Sequence, residues 1–178
     1  KLIAMEGNLL INFNWRVNVG GQLSVANSGA GLTHYIGPVI TAVVKPASSS
    51  VSVLSMPTGG GTRVQLSGTN FGPLTGNPIT ARYGVSGPSY RYTASGCTVV
   101  TAHTVIECDS VTGVGHDLMW SVTVGGQLSV SSVGVTSYGV PVVSSIVGGS
   151  SLRTSGGEVL TLTGSNFGPL GTNGTDVG

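Results

Sequence analysis

Two stretches of this chain occur twice. Ser67-Gly68-Thr69-Asn70-Phe71-Gly72-Pro73-Leu74 returns as Thr163-Gly164-Ser165-Asn166-Phe167-Gly168-Pro169-Leu170, and Val19-Gly20-Gly21-Gln22-Leu23-Ser24 returns as Val124-Gly125-Gly126-Gln127-Leu128-Ser129. Similarity at a fixed period means that the chain is built from copies of one folding unit, and the period sets the size of that unit. Trp15 to Trp120 is 105 residues, while Tyr35 to Tyr138 and Pro38 to Pro141 are both 103. That is the length of one β-sandwich domain of about 100 residues. Residues 38–140 then form the one complete repeat. Residues 1–37 are the C-terminal part of a preceding repeat and residues 141–178 the N-terminal part of a following one, so both ends of the chain are expected to fall inside a domain.

Within the complete repeat, short runs of alternating apolar and polar residues are bounded by Gly, Pro, Asn or Ser. This is the pattern of half-buried antiparallel strands, and no long stretch has helical periodicity. Val64 and Leu66 in Arg63-Val64-Gln65-Leu66-Ser67 are expected to face inward, as are Leu160 and Leu162 in the matching segment. Leu118, Trp120, Val122 and Val124 alternate in the same way, and Phe13, Trp15, Val17 and Val19 repeat them. Gly125-Gly126 and Gly20-Gly21 follow these strands and supply the positive φ angles of two-residue hairpin turns. One Trp per repeat anchors the core. Asn70-Phe71-Gly72-Pro73 reads as a turn in which Asn70 bonds its own backbone, Gly72 takes the left-handed conformation, Pro73 ends the strand and Phe71 plugs the end of the core.

The two cysteines lie in Cys97-Thr98-Val99-Val100-Thr101-Ala102-His103-Thr104-Val105-Ile106-Glu107-Cys108. Folding this segment as a hairpin around Ala102-His103 pairs Thr101 with Thr104, Thr98 with Glu107 and Cys97 with Cys108. A non-hydrogen-bonded pair of opposed residues brings the Cβ atoms close enough for a disulfide. Two cysteines do not make a structural zinc site, and His34, His103 and His116 lack ligand spacing, so no metal is assigned. A disulfide points to an oxidising compartment and hence to secretion or the cell surface. In the first fragment, Lys1 to Glu6 aligns with Thr104 to Asp109, and Met5 stands in the place of Cys108.

Charged residues are 7% of the chain, and the formal net charge is +1. With Lys and Arg scattered singly, no basic face exists to neutralise several phosphates, which argues against nucleic acid as a partner. Ser, Thr, Gly or Asn interrupts every Val-rich stretch before it could span a bilayer as a helix. The chain opens at Lys1 without an initiator Met or a signal peptide, and reads as mature or excised material. Catalysis finds little support. The acids Glu6, Glu107, Asp109, Asp117, Glu158 and Asp176 are dispersed, and the adjacent His116 and Asp117 are expected to diverge on an extended chain. Gly113-Val114-Gly115 lacks the third glycine and the strand-to-helix context of a dinucleotide site. A calcium site at Asp109 and Asp117 is less favoured than two solvated loop acids. No cofactor is implied.

Asn173-Gly174-Thr175 is an N-glycosylation sequon, and Ser48-Ser49-Ser50 and Ser131-Ser132 are candidates for O-linked sugars. Glycans would hydrate a surface that carries so few charges.

Several landmarks together carry a family resemblance: Pro38-Val39-Ile40, Asn70-Phe71-Gly72-Pro73, Tyr83-Gly84, the Cys97 to Cys108 hairpin, Gly113-Val114-Gly115, Val124 to Ser129, and Tyr138-Gly139-Val140-Pro141. The chain resembles the IPT/TIG domains (immunoglobulin-like, plexin, transcription factor), in particular the extracellular arrays of fibrocystin-like and protist surface proteins. The resemblance implies an all-β chain of tandem immunoglobulin-like antiparallel β-sandwiches. It also implies a non-enzymatic structural role in an extracellular filament or surface stalk, with an adhesion or receptor ectodomain as the alternative. The joints Gly37-Pro38 and Val140-Pro141 leave almost no linker, which suits a stiff rod. Neighbouring copies, or further repeats of the same array, are the expected partners. In the first case residues 141–178 of one chain would share a sandwich with residues 1–37 of the next, packing Leu160 and Leu162 against Trp15 and Val17.

Overall fold

The structure is a computed structural model that describes residues 2–7, 13–27, 33–85 and 90–170. All regular structure among them is antiparallel β, in three groups. The first is a sheet in the order β1 (Leu2–Gly7), β2 (Phe13–Val19), β3 (Gln22–Leu23). The third is a strand pair, β13 (Val142–Val147) with β14 (Thr161–Ser165).

Between them lies a two-sheet sandwich. One sheet has the order β4 (Val39–Val44), β5 (Arg63–Thr69), β9 (Val105–Asp109), β8 (Ser95–Thr101). The other has the order β11 (Gln127–Leu128), β10 (Leu118–Val124), β6 (Ile79–Gly84), β7 (Tyr92–Thr93), with β12 (Val135–Thr136) also on β10. The inward residues of the two sheets share one core: Val64, Leu66, Ile106 and Cys108 from one, Ala81, Tyr83, Trp120 and Val122 from the other, with Phe71 closing the end. Trp120 stacks on Tyr83 with ring centroids 4.3 Å apart, and its Nε1–H donates to Thr136 Oγ1 at 3.0 Å. The alternation predicted for β5 and β10 is what fills this core.

Glycine sets the approach of β4 to β5. A Cβ on Gly68 would overlap the carbonyl oxygen of Val39 and press on the Phe71 ring, so only glycine lets the strand pass there. A bulge between Ile40 and Ala42 follows, where Thr41 donates its hydroxyl to Ser67 O at 3.1 Å. The pair β13–β14 repeats this construction. Gly164 stands against Val142 O and Phe167, a register shift lies between Val143 and Ser145, and Ser144 Oγ donates to Thr163 O at 2.9 Å.

The first group repeats the other end of the sandwich. Gly20 and Gly21 have φ of 56° and 83°, and Gly125 and Gly126 have 55° and 84°. Trp15 Nε1–H donates to Thr33 Oγ1 as Trp120 does to Thr136. The Val17 and Val122 amides donate to Ser24 Oγ and Ser129 Oγ, both at 3.0 Å. One feature departs from the repeat. By sequence alignment β1 corresponds to β9, which pairs with β5. Here β1 pairs with β2 instead, with Met5 opposite Trp15, along the edge where β10 takes β6 and Trp120 faces Tyr83. An open strand edge presents a row of unpaired amides and carbonyls, and β1 satisfies it when no β6-like strand is present in that group.

Candidate assembly surface

The Cys97–Cys108 disulfide joins β8 to β9, with the Cα atoms 4.1 Å apart. Thr98 stands opposite Glu107 as the sequence predicts, but the tip differs: Thr101 pairs with Val105, not Thr104, after a shift between Val99 and Thr101. The reason is tertiary. His103 takes φ of 67°, its amide donates to Gly72 O at 2.7 Å, and its carbonyl accepts from the Phe71 amide at 3.1 Å. The hairpin tip is thereby tied to the Asn70–Pro73 turn. Replacing both cysteines by alanine is expected to lower stability by about 3 kcal/mol, the entropy of a closed loop of this length. Parallel urea titrations of the two proteins check this, and a loss below about 1 kcal/mol would show that the β8–β9 ladder suffices without the bond.

Three tyrosines, not foreseen as a group, hold the loop after β9. Tyr83 Oη and Tyr138 Oη lie 2.7 Å apart. Tyr83 Oη accepts from the Val111 amide, Tyr138 Oη donates to Val111 O, and Tyr92 Oη bonds the Val114 amide and carbonyl. Burial pushes the Tyr83 and Tyr138 hydroxyls above the ordinary tyrosine range, so both are neutral donors at physiological pH. A Cβ on Gly113 would come within 2.7 Å of the Tyr92 ring. Gly113-Val114-Gly115 is thus a loop clamped by phenols. The spacing of Tyr83 and Tyr138, each followed by glycine, is the only sequence signal for it.

Three charged side chains meet on the sandwich surface. Arg63 Nε donates to Glu107 Oε2 and Nη1 to Asp109 Oδ2, both at 3.1 Å, and Nη1 also donates to Gly96 O. These groups are partly solvated, so the cluster contributes little stability. It also occupies Asp109 with an arginine, far from the role of a calcium ligand. His116 and Asp117 do not diverge as expected. Asp117 has φ of 52°, which folds its carboxylate back to 2.9 Å from His116 Nδ1 at an exposed site. Among the described residues no three His, Cys, Asp or Glu side chains gather to hold a metal, and no helix is long and apolar enough to cross a membrane.

Of the serines considered for sugars, Ser48 and Ser50 are exposed and Ser49 is half-buried, its Oγ accepting from the Val51 amide. Ser131 bonds Tyr90 Oη. Ser132 is corrected: it is 4% exposed, accepts from the Trp120 amide and donates to Gly134 O, so its hydroxyl is used inside the fold. Asn173 lies outside the described residues.

β13–β14 and the residues beside it present an exposed apolar surface. Leu160, Leu162 and Phe167 are 43%, 53% and 47% exposed, whereas their counterparts Val64, Leu66 and Phe71 are fully buried. Val143 and Ile146 are exposed where Ile40 and Val43 are buried. Leu160 and Leu162, expected to face inward, are exposed instead, and among the described residues no second sheet covers them. The Trp15 strand is in the same state, with Val17 and Val19 exposed where Val122 and Val124 are buried.

Comparison of the chain with protein-family models, with curated proteins and with solved structures gave no match.

Proposed function

We propose that this chain is a non-enzymatic structural segment of an extracellular filament or surface stalk, built from tandem IPT/TIG-type immunoglobulin-like sandwiches that carry glycans. The carrying observation is the repetition of one hairpin construction: the glycine-dependent bulge and Phe plug of β4–β5 recur in β13–β14, with the apolar face buried in the first and open in the second. An exposed apolar sheet face of this kind marks a surface that is normally covered. The cover is the remaining strands of a following sandwich, supplied either by further repeats of the array or by a neighbouring copy through strand addition.

The strand orders support the domain type. Taken in chain order, β4-β5-β9-β8 against β6-β10-β11 corresponds to the A-B-E-D and C-F-G arrangement of constant-type immunoglobulin domains. The disulfide supports an oxidising, extracellular location. Negative-stain electron microscopy of the native material tests the reading. Filaments with a repeat of one or two sandwich lengths are expected, and dispersed monomers at all concentrations would overturn it in favour of a receptor ectodomain.

A further inference from the structure

The two sequence motifs that reveal the period both act at the joints between repeats. Asn70 was expected to bond its own backbone; its Nδ2 instead donates to Gly37 O at 3.0 Å, on the carbonyl side of the Gly37-Pro38 bond. Asn166 does the same at the next joint, donating to Val140 O of Val140-Pro141 at 3.1 Å. Both asparagines sit in the left-handed region, with φ of 63° and 57°. The other repeated motif supplies Gln127, whose Nε2 donates to Tyr35 O at 2.9 Å in the first joint.

The second joint is held from both sides. The Gly139 amide donates to Met56 O of the preceding sandwich at 2.7 Å, and Tyr138 beside it is buried in that sandwich. The Val140 carbonyl is held by Asn166 of the following unit. Val140 precedes a proline, which confines it to extended conformations, and Pro141 has φ locked by its ring. Only Gly139 keeps wide torsional freedom, and it is enclosed: a Cβ there would lie 2.7 Å from Asn166 Nδ2.

We infer that the asparagine of each Asn-Phe-Gly-Pro turn is a latch on the X-Pro carbonyl of the joint before it, fixing the direction in which one sandwich leaves the next, with Gly139 providing the clearance the latch needs. It rests on the reading of tandem sandwiches proposed above and stands whether or not the array forms a filament.

The test is a distance distribution from paired nitroxide labels in the full chain, attached to cysteines introduced at the exposed positions Val133 and Val159 while Cys97–Cys108 stays oxidised. Asn166→Gly removes the amide and keeps the left-handed backbone without strain. It is expected to broaden the distribution at least twofold while the thermal midpoint of the complete sandwich stays unchanged. Gly139→Ala displaces the latch without altering β13–β14 and is expected to broaden or shift the distribution equally. In the double variant Gly139→Ala adds nothing to Asn166→Gly, because the group it clashes with is gone. An Asn166→Gly distribution as narrow as the parent's overturns the latch, as does a Gly139→Ala effect of the same size with and without Asn166.

Discussion

Trp120→Ala is expected to remove about 3–5 kcal/mol from the stability of the complete sandwich, a large fraction of the total stability of a domain. Trp120 is fully buried, fills the space between the sheets, stacks on Tyr83 and donates to Thr136. Truncation therefore opens a cavity, ends the ring contact and strands a buried hydroxyl. The loss extends to the loop after β9, since Tyr83 carries the bond to Tyr138 and the Val111 amide. Guanidinium titration followed by far-ultraviolet circular dichroism measures the effect, because Trp15 would confuse a fluorescence signal. Trp120→Phe keeps a ring but loses the Thr136 bond and should fall between the two. A Trp120→Ala loss under about 2 kcal/mol would mean that the sheets collapse onto the vacated site and that the core is far more adaptable than its stacking suggests.

Gly68→Ala is expected to cost the complete sandwich about 3 kcal/mol through overpacking. The added methyl meets the Val39 carbonyl, a backbone atom in a hydrogen-bonded strand, and the Phe71 ring, a plug held by the bond from its amide to His103 O. Neither can move without breaking the β4–β5 ladder or the tie between the turn and the disulfide hairpin. Gly164→Ala makes the same local clash at Val142 O and Phe167. It should leave the unfolding midpoint of the complete sandwich unchanged, because β13–β14 packs no second sheet of the described chain. Equal effects of the two substitutions on that midpoint would show that the joint transmits strain from one unit to the other.

How far the sequence could be read follows from the range of each interaction. The inward faces of β5 and β10 followed from alternation, because successive residues of a strand point to opposite sides whatever surrounds them. The Gly125-Gly126 and Gly20-Gly21 turns followed from the two-residue spacing, since positive φ is a property of the residue itself. Cys97 opposite Cys108 followed from counting along one hairpin. The tip of that hairpin did not, since its register yields to backbone bonds from a turn more than 30 residues away in the chain. The same holds for the tyrosine clamp, whose hydroxyls meet only when β6, β7 and the segment after β12 are in place.

The sequence by itself determined the period, the strand faces, the turn positions and the disulfide, all of which depend on local geometry or on internal repetition. Only the tertiary structure decided what those features do to one another. Ser132 lies inside the fold, and β1 takes the edge of β2 because an open edge accepts whichever strand is at hand. Asn70 reaches Gly37 in place of its own backbone because the sheet brings the end of β5 beside the start of β4, placing a carbonyl 33 residues upstream within reach of its amide.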